Sequence, residues 1–225
     1  MALTHSPRIV RDGLVLHLDA ANVKSYPGSG STWKDLSGQG NDGTLYGSPS
    51  FNSYNNGSFN FDESNDYVNC GDNGVFNKNS YTKIAWFRPE STTYNLISGG
   101  NDAGAGDYGE HAFWLNGTST TVTAGHNNNW TTVSYNAGDM LNQWWCAAVT
   151  FNSSSGWVLY LNGEIVDTDA STTVHTGNTG ILIGAYTPAS NLFDGDIAIA
   201  QVYSKTLSAS EIQQNFNATR DRYGI

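Results

Sequence analysis

Cysteine, basic residues and long apolar runs are scarce in this chain of 225 residues. Two cysteines are too few for a disulfide scaffold or a four-ligand zinc site. Charged residues make up 13% of the chain, and ten Lys and Arg face twenty Asp and Glu, for a net charge of −10. No Lys or Arg occurs between Arg88 and Lys205. Binding to a nucleic acid requires cations that replace phosphate counterions, so we expect no nucleic-acid partner.

The sequence also lacks the segments that direct a chain to a membrane. No apolar run approaches the roughly 20 residues that a membrane-spanning helix needs, so we expect no membrane partner. The first eight residues, MALTHSPR, lack the apolar stretch of a secretory signal. We therefore expect a chain that stays in the producing cell or leaves it by another route.

Glycine and aromatic residues are plentiful, with 25 Gly, 7 Trp, 12 Tyr and 9 Phe. Alternating apolar residues and turn signals recur along the chain, as in Leu14, Leu16 and Leu18 of a first strand. The dipeptide Asn162-Gly163 predicts a tight hairpin turn. We predict an all-β fold, a two-sheet antiparallel jelly-roll sandwich with a short C-terminal helix.

The C-terminal segment is the one part with a helical pattern. Ser208 and Glu211 have the spacing of a capping box, and Ile212 and Phe216 lie four residues apart on one face. The helix is predicted at about residues 208–219. Residues 1–12 are interpreted as an N-terminal arm, and residues 13–225, helix included, as one domain.

Six segments stand out together, at residues 14–19, 33–45, 61–68, 144–151, 159–163 and 193–208. In this order they resemble the laminin-G-like domains of the concanavalin A-like lectin/glucanase superfamily, and the resemblance covers roughly residues 13–217. It implies a sandwich with one concave face, often glycan-binding, and often a structural Ca²⁺ near the rim.

The resemblance also implies a location and a set of partners. Free-standing domains of this type without a signal peptide resemble structural proteins of tailed bacteriophages, on capsids, tails or fibres. The implied location is the virion, with an extracellular location as the alternative, and the implied partners are a glycan or other virion proteins. Low charge and many aromatic residues also permit a homo-oligomer.

The carboxylate pattern of glycan-cleaving members is missing. Those members carry Glu-x-Asp on a strand, whereas the five glutamates here are followed two positions on by Asn65, Thr92, Ala112, Val166 and Gln213. A retaining glycosidase needs two carboxylates about 5 Å apart. The pairs Asp167/Asp169 and Asp194/Asp196 are interpreted as turn residues. We expect no enzyme; the alternative is a glycoside hydrolase or a secreted bacterial carbohydrate-binding module.

Calcium binding is predicted at the loop from Asp35 to Gly43. Ca²⁺ takes six to eight oxygen ligands, and Asp35, Asn41 and Asp42 supply some, with Asp194 and Asp196 completing the site. The alternative is that the loop residues bond their own backbone in Asx turns. Members of the superfamily often carry an acidic pair where this chain has Ala198 and Ile199.

Sugar contacts are predicted at residues in or beside loops, because aromatic rings stack on sugar C–H faces and amides bond hydroxyls. Trp130 is the strongest candidate, although it has the alternative of packing under its own loop. Trp114 lies inside a strand pattern and is expected in the core. The acidic, Gly-rich loop at 101–110 either binds Ca²⁺, cradles a glycan or is a mobile tip. The predicted ligand-binding residues are Tyr108, His126, Asn128, Trp130, Tyr135 and Trp144.

Positive charge is concentrated at the two ends of the chain. Arg8 and Arg11 lie near the N-terminus, and Arg220 and Arg222 near the C-terminus. Because the termini of a domain often lie close together, these four residues are a candidate docking patch for other virion subunits. A solvated tail is the alternative.

Overall fold

The structure is a computed structural model that describes residues 7–53, 57–71, 77–91, 94–99, 111–116, 120–126, 129–174, 180–188 and 190–225. Within these ranges the chain forms sixteen strands and one α-helix. The strands are β1 (Leu14–Asp19), β2 (Thr32–Trp33), β3 (Gly43–Tyr46), β4 (Ser50–Asn52), β5 (Ser58–Asp62), β6 (Tyr67–Asn69), β7 (Ser80–Pro89), β8 (Ile97–Ser98), β9 (His111–Leu115), β10 (Thr121–His126), β11 (Asn129–Asn136), β12 (Trp145–Asn152), β13 (Gly156–Leu161), β14 (Glu164–Asp169), β15 (Leu182–Ile183) and β16 (Asp194–Tyr203). The helix α1 is Ala209–Thr219, and a 3₁₀ turn follows at Arg220–Arg222.

Eight antiparallel strands form the first layer of the sandwich. Their order is β14-β13-β12-β7-β16-β5-β4, and β1 also pairs with β16. One side of β16 pairs with β7, and the other side pairs with β5 near its start and with β1 near its end. The first and last strands of the domain are therefore neighbours within this layer.

The second layer consists of two sheets, β2-β3-β6-β15-β8 and β11-β10-β9. Backbone hydrogen bonds from Leu96 to Phe113 (2.9 Å) and from Gly99 to His111 (2.8 Å) join the segment around β8 to β9. The two sheets thus continue into each other and face the first layer together. The predicted all-β jelly-roll sandwich is confirmed.

The core between the layers is built from aromatic and aliphatic side chains, among which Trp33, Phe87 and Phe113 are almost fully buried. The outer face of the first layer is also covered. There Trp86 of β7 stacks on Phe216 of α1, with ring centroids 5.7 Å apart. The central strands are therefore buried on both faces, which explains their nearly continuous apolar sequence.

The predicted C-terminal helix and hairpin turn are both present. Ser208 caps α1, and the capping box with Glu211 is complete in both directions. Asn162 and Gly163 have φ values of 50° and 84°, the left-handed conformation that a tight hairpin turn between β13 and β14 requires. None of the helices in the described part of the chain has the length and apolar character to cross a membrane.

The described end of the predicted N-terminal arm is anchored on the helix. Val10 is buried, its N–H donates to Asn215 Oδ1 (2.7 Å), and its carbonyl accepts from the Tyr203 hydroxyl (3.0 Å). Gln214 donates its side-chain N–H to the Arg8 carbonyl (2.6 Å). These contacts bring the two ends of the chain together.

Candidate functional site

A cavity of about 510 Å³ opens on the outer face of the second layer. Strands β9 and β11 form its floor, and the segment before β8 and the turn between β15 and β16 form its rim. Its size falls within the range of about 300–1,000 Å³ that is usual for small-molecule sites. Its lining residues are uncharged: Asn95, Ala112, Trp114, Asn129, Trp130, Thr131, Tyr186 and Asn191.

Trp114 reaches the cavity because of the alternation along β9. Phe113 and Leu115 point into the core and are fully buried, so Trp114 between them points to the opposite face. The expectation that Trp114 belongs to the core is wrong, since its ring is half-buried and lines the cavity. The apolar residues on either side were the signal that could have placed it correctly.

Trp130 lies beside Trp114 at the start of β11. The Trp114 indole N–H donates to the Trp130 carbonyl (3.2 Å), and the Trp130 ring meets the Tyr186 ring edge-on, with centroids 5.6 Å apart. Gly125 permits this approach, since a Cβ there would lie 2.1 Å from the Asn129 carbonyl oxygen. Three half-buried rings therefore surround one opening.

Amide groups complete the cavity. Asn191 has a φ of 52°, a conformation that Asn tolerates better than most residues, and its carbonyl faces Asn95. That carbonyl accepts from the Asn95 backbone N–H (3.4 Å) and from Asn95 Nδ2 (3.3 Å). Nothing in the sequence pattern had indicated Asn95, Tyr186 or Asn191, because they come from turns far apart in the chain.

The other predicted ligand-binding residues lie elsewhere. Tyr108 and Asn128, like the whole 101–110 loop, fall outside the described residues. Tyr135 is 39% exposed on β11 but does not line the cavity. Trp144 packs against Tyr223 (ring centroids 4.8 Å apart) on the outer face of the first layer, away from the cavity.

His126 requires a correction, because it lies in the core and not in a surface loop. It is 4% exposed at the end of β10, within 2.7 Å of the Tyr81 hydroxyl and 3.0 Å of the Thr173 carbonyl. Its ring packs edge-on against Trp157, with centroids 4.4 Å apart. Burial, with a smaller contribution from nearby Lys83, lowers the pKa of His126 to about 4, although the Thr173 carbonyl favours the charged form.

The sequence matches the family model of the concanavalin A-like lectin/glucanases superfamily over residues 62–213, about two thirds of the chain. The chain belongs to this superfamily. A comparison with curated proteins gave no match.

Solved structures of similar fold include domains of larger proteins. The HCR/D F1240A mutant is similar with 14% identity and a TM-score of 0.71, over 93% of this chain and 52% of that chain. The binding domain of botulinum neurotoxin DC in complex with SialylT has 17% identity and a TM-score of 0.66, over 92% and 52%. A Trypanosoma rangeli sialidase has 15% identity and a TM-score of 0.68, over 93% and 33%. This superfamily member thus spans about half of two of those chains and a third of the other, and the likeness concerns the fold alone.

The five residues predicted to hold the superfamily's Ca²⁺ do not form one site. Asp35 accepts hydrogen bonds from the His17 N–H (2.9 Å), from the backbone and hydroxyl of Ser37 (2.8 and 2.6 Å) and from the Asn41 N–H (3.1 Å). Asp42 accepts from the Asp35 N–H (2.9 Å) and pairs with Lys34 (3.2 Å). The Asn41 amide donates to the Val15 carbonyl (2.7 Å). Asp35 therefore forms the Asx turn that the alternative expected, whereas the Asn41 amide contacts β1, and together these bonds hold the loop in shape and against β1.

The other two predicted ligands lie far from this loop. Asp196 is fully buried in an ion pair with Arg88 and accepts from the Ser58 hydroxyl (3.0 Å). Asp194 lies opposite Asp62 at the start of β16. His17, which contacts the loop, pairs with Gln201, roughly 16 Å along β16 from Asp196. In the described part of the chain no group of three or more His, Cys, Asp or Glu side chains is placed to hold a metal ion.

Replacing Asp35 with Ala tests whether the loop carboxylate has a structural or a metal-binding role. We expect Asp35→Ala to lower the free energy of unfolding by roughly 2–4 kcal/mol, because several N–H and O–H donors lose their acceptor. The loss should be the same in Ca²⁺ and in EDTA, measured by urea unfolding. The control Asp221→Ala, at an exposed site, should change it by less than about 0.5 kcal/mol. A loss seen only with Ca²⁺ would instead make Asp35 a ligand.

Burial of His126 predicts a loss of stability at acidic pH. Between pH 6.5 and about 4 the unfolded chain binds a proton that native His126 does not, so stability falls as the pH falls through this range. The difference between the pKa values of His126 in the unfolded and native states corresponds to roughly 3 kcal/mol in the free energy of unfolding. Urea unfolding at pH 7 and pH 4.5 should show a smaller decrease for His126→Gln than for the natural chain.

The comparison between variants is needed because Asp66 works in the opposite direction. Burial raises the pKa of the Asp66 carboxyl to about 6, so its protonation stabilises the native state over part of the same range. Both proteins retain Asp66, so the difference between their losses of stability from pH 7 to pH 4.5 is due to His126. Equal decreases in the two proteins would contradict the assignment.

Proposed function

We propose that this chain is a non-catalytic glycan-binding module that holds a sugar in the cavity between β9, β11 and the turn before β16. The observation that carries the proposal is the set of three half-buried rings, Trp114, Trp130 and Tyr186, beside the amides of Asn95 and Asn191. Aromatic rings offer flat apolar surfaces to sugar C–H faces, and amides bond hydroxyl groups. An uncharged cavity of this composition suits a polar, uncharged ligand.

The absence of a reaction is supported by the lining of the cavity. None of its described lining residues is Asp, Glu or His, and glycoside hydrolysis needs two carboxylates at the scissile bond. The closely spaced acidic pairs elsewhere already have partners: Asp167 accepts from the Ser134 N–H (2.7 Å), and Asp196 pairs with Arg88. The hydrolase alternative would therefore need a site outside the cavity.

The fold neighbours support a sugar as the ligand class without identifying it. One of them is a sialidase solved in complex with 2,3-difluorosialic acid, and another is a binding domain. Because one fold hosts many functions, the argument for this chain rests on its own cavity.

Truncating Trp130 should abolish most glycan binding. We expect Trp130→Ala to raise the dissociation constant at least tenfold, since a central aromatic contact is usually worth more than about 1.4 kcal/mol. The natural chain is first screened on a glycan array, and the affinity for the best oligosaccharide is then measured by calorimetry for each variant.

The matched control is Tyr135→Ala, which removes an aromatic ring from the same strand outside the cavity. It should leave the dissociation constant within twofold of the natural value. Equal losses in Trp130→Ala and Tyr135→Ala, or binding unaffected by Trp130→Ala, would place the glycan somewhere other than this cavity.

We further propose that the module acts on the surface of a phage virion and docks there through its joined ends. Support comes from the family resemblance described above and from the position of the termini. All four arginines are exposed, but Arg222 pairs with buried Asp19 (2.9 Å), and Arg220 lies 4.0 Å from exposed Asp221. We call Arg8, Arg11 and Arg220 the terminal basic surface. In a chain of net charge −10 this surface suits an acidic face of another subunit.

Charge reversal of the terminal basic surface separates docking from glycan binding. Particles produced with the natural chain should contain the protein, as shown by mass spectrometry of purified virions. Replacing Arg8, Arg11 and Arg220 with Glu should remove it from particles and leave its glycan affinity unchanged. If virions produced with the natural chain do not contain the protein, the virion role is refuted and the secreted alternative is favoured.

A further inference from the structure

The buried amide of Asn95 is incompletely satisfied within the protein. The residue is 3% exposed, and its Nδ2 donates to the Asn191 carbonyl at 3.3 Å. Its Oδ1 has no hydrogen-bond partner among the described residues. Buried side-chain polar atoms are nearly always paired, so such an atom calls for a specific explanation. Asn95 lines the aromatic cavity, and although Oδ1 itself has almost no accessible surface there, a small rotation of the amide would present it to a donor on a bound molecule.

The charges around the cavity restrict the kind of molecule. All its lining residues come from the segment 95–191, which lies inside the long stretch from Pro89 to Ser204 that has no Lys or Arg. Neither the cavity wall nor any loop of this stretch can therefore provide a Lys or Arg side chain to neutralise a carboxylate or sulfate, and no His lines the described wall. No carboxylate lines the described wall either, so an ammonium ion would also lack a counter-charge there. Burying an unpaired charge is strongly unfavourable.

We propose that the ligand is a neutral sugar unit that donates a hydroxyl or acetamido N–H to Asn95 Oδ1, and that acidic sugars are excluded. This inference rests on the proposed function and deepens it, because it names the ligand class and the residue that selects it. The three rings bind the C–H face of the sugar, and Asn95 Oδ1 accepts a hydrogen bond from one donor group at the edge of the sugar ring. A site built around an acceptor rejects ligands that lack the matching donor.

Replacing Asn95 with Leu tests the role of the acceptor. Leu has nearly the same size and leaves no unpaired polar atom at this position, so the variant should keep the stability of the natural chain, with a Tm within about 2 °C of it. Binding of the best neutral oligosaccharide from the array should weaken at least tenfold, measured by calorimetry. Stability retained with binding lost is the result that a purely structural role for Asn95 would not give.

Asn215→Leu is the matched control. Asn215 is also 3% exposed, but its Oδ1 accepts from the Val10 N–H (2.7 Å) and its Nδ2 donates to the Tyr203 hydroxyl (2.9 Å). Removing a buried amide that has partners should lower the Tm by several degrees and leave the dissociation constant unchanged. Should Asn95→Leu lower the Tm in the same way while binding persists, Asn95 is structural and the inference is overturned.

Paired probes test the exclusion of acidic sugars. Lactose is compared with 3′-sialyllactose, and neutral chitotriose and cellotriose are compared with trigalacturonic acid. We expect the neutral members to bind and every acidic counterpart to bind at least tenfold more weakly. Preferential binding of acidic probes that depends on Trp130 would overturn this inference but leave the proposed function standing. No binding to any glycan, on these probes and on the array, would overturn both.

Discussion

The structure depends on one constraint of β-strands, the alternation of side chains between two faces. In β7 this alternation sends Phe87 into the core between the layers and Trp86 to the outer face under α1. In β9 it buries Phe113 and leaves Trp114 to line the cavity. Each layer buries one face in the core, so every second residue of its strands faces outward. In the first layer these outward residues contact the helix, and in the second layer they line the cavity.

Hydrogen bonding separates the structural polar residues from the candidate functional one. Asp35 holds a loop together, Asp196 neutralises Arg88, and His126 bonds Tyr81 and Thr173, so each is explained by contacts inside the protein. Asn95 differs because it combines two features: its buried oxygen lacks a protein partner in the described structure, as some other buried polar atoms do, and it lines the aromatic cavity. In the proposed function, a bound ligand would satisfy this oxygen.

The charge distribution connects the fold to its proposed role. The chain is acidic overall, its cavity is uncharged, and its exposed arginines gather where Val10 and Asn215 join the two ends. A ligand that approaches the cavity is therefore selected by shape and hydrogen bonding and not by charge. A partner that approaches the ends meets positive charge. The two proposed activities occupy separate surfaces of one superfamily fold.

Features that depend on neighbouring residues could be predicted from the sequence. Strand alternation, the Asn162-Gly163 turn and the Ser208–Glu211 cap were all predictable, because each rests on contacts within a few residues. Trp130 was also selected from its loop context, and it does line the cavity. Contacts between distant residues could not be predicted in this way, because they depend on how the strands stack and not on local periodicity. Asp196 pairs with Arg88 and lies far from the Asp35 loop, and His126 is buried. Asn95, Tyr186 and Asn191 come together at one opening.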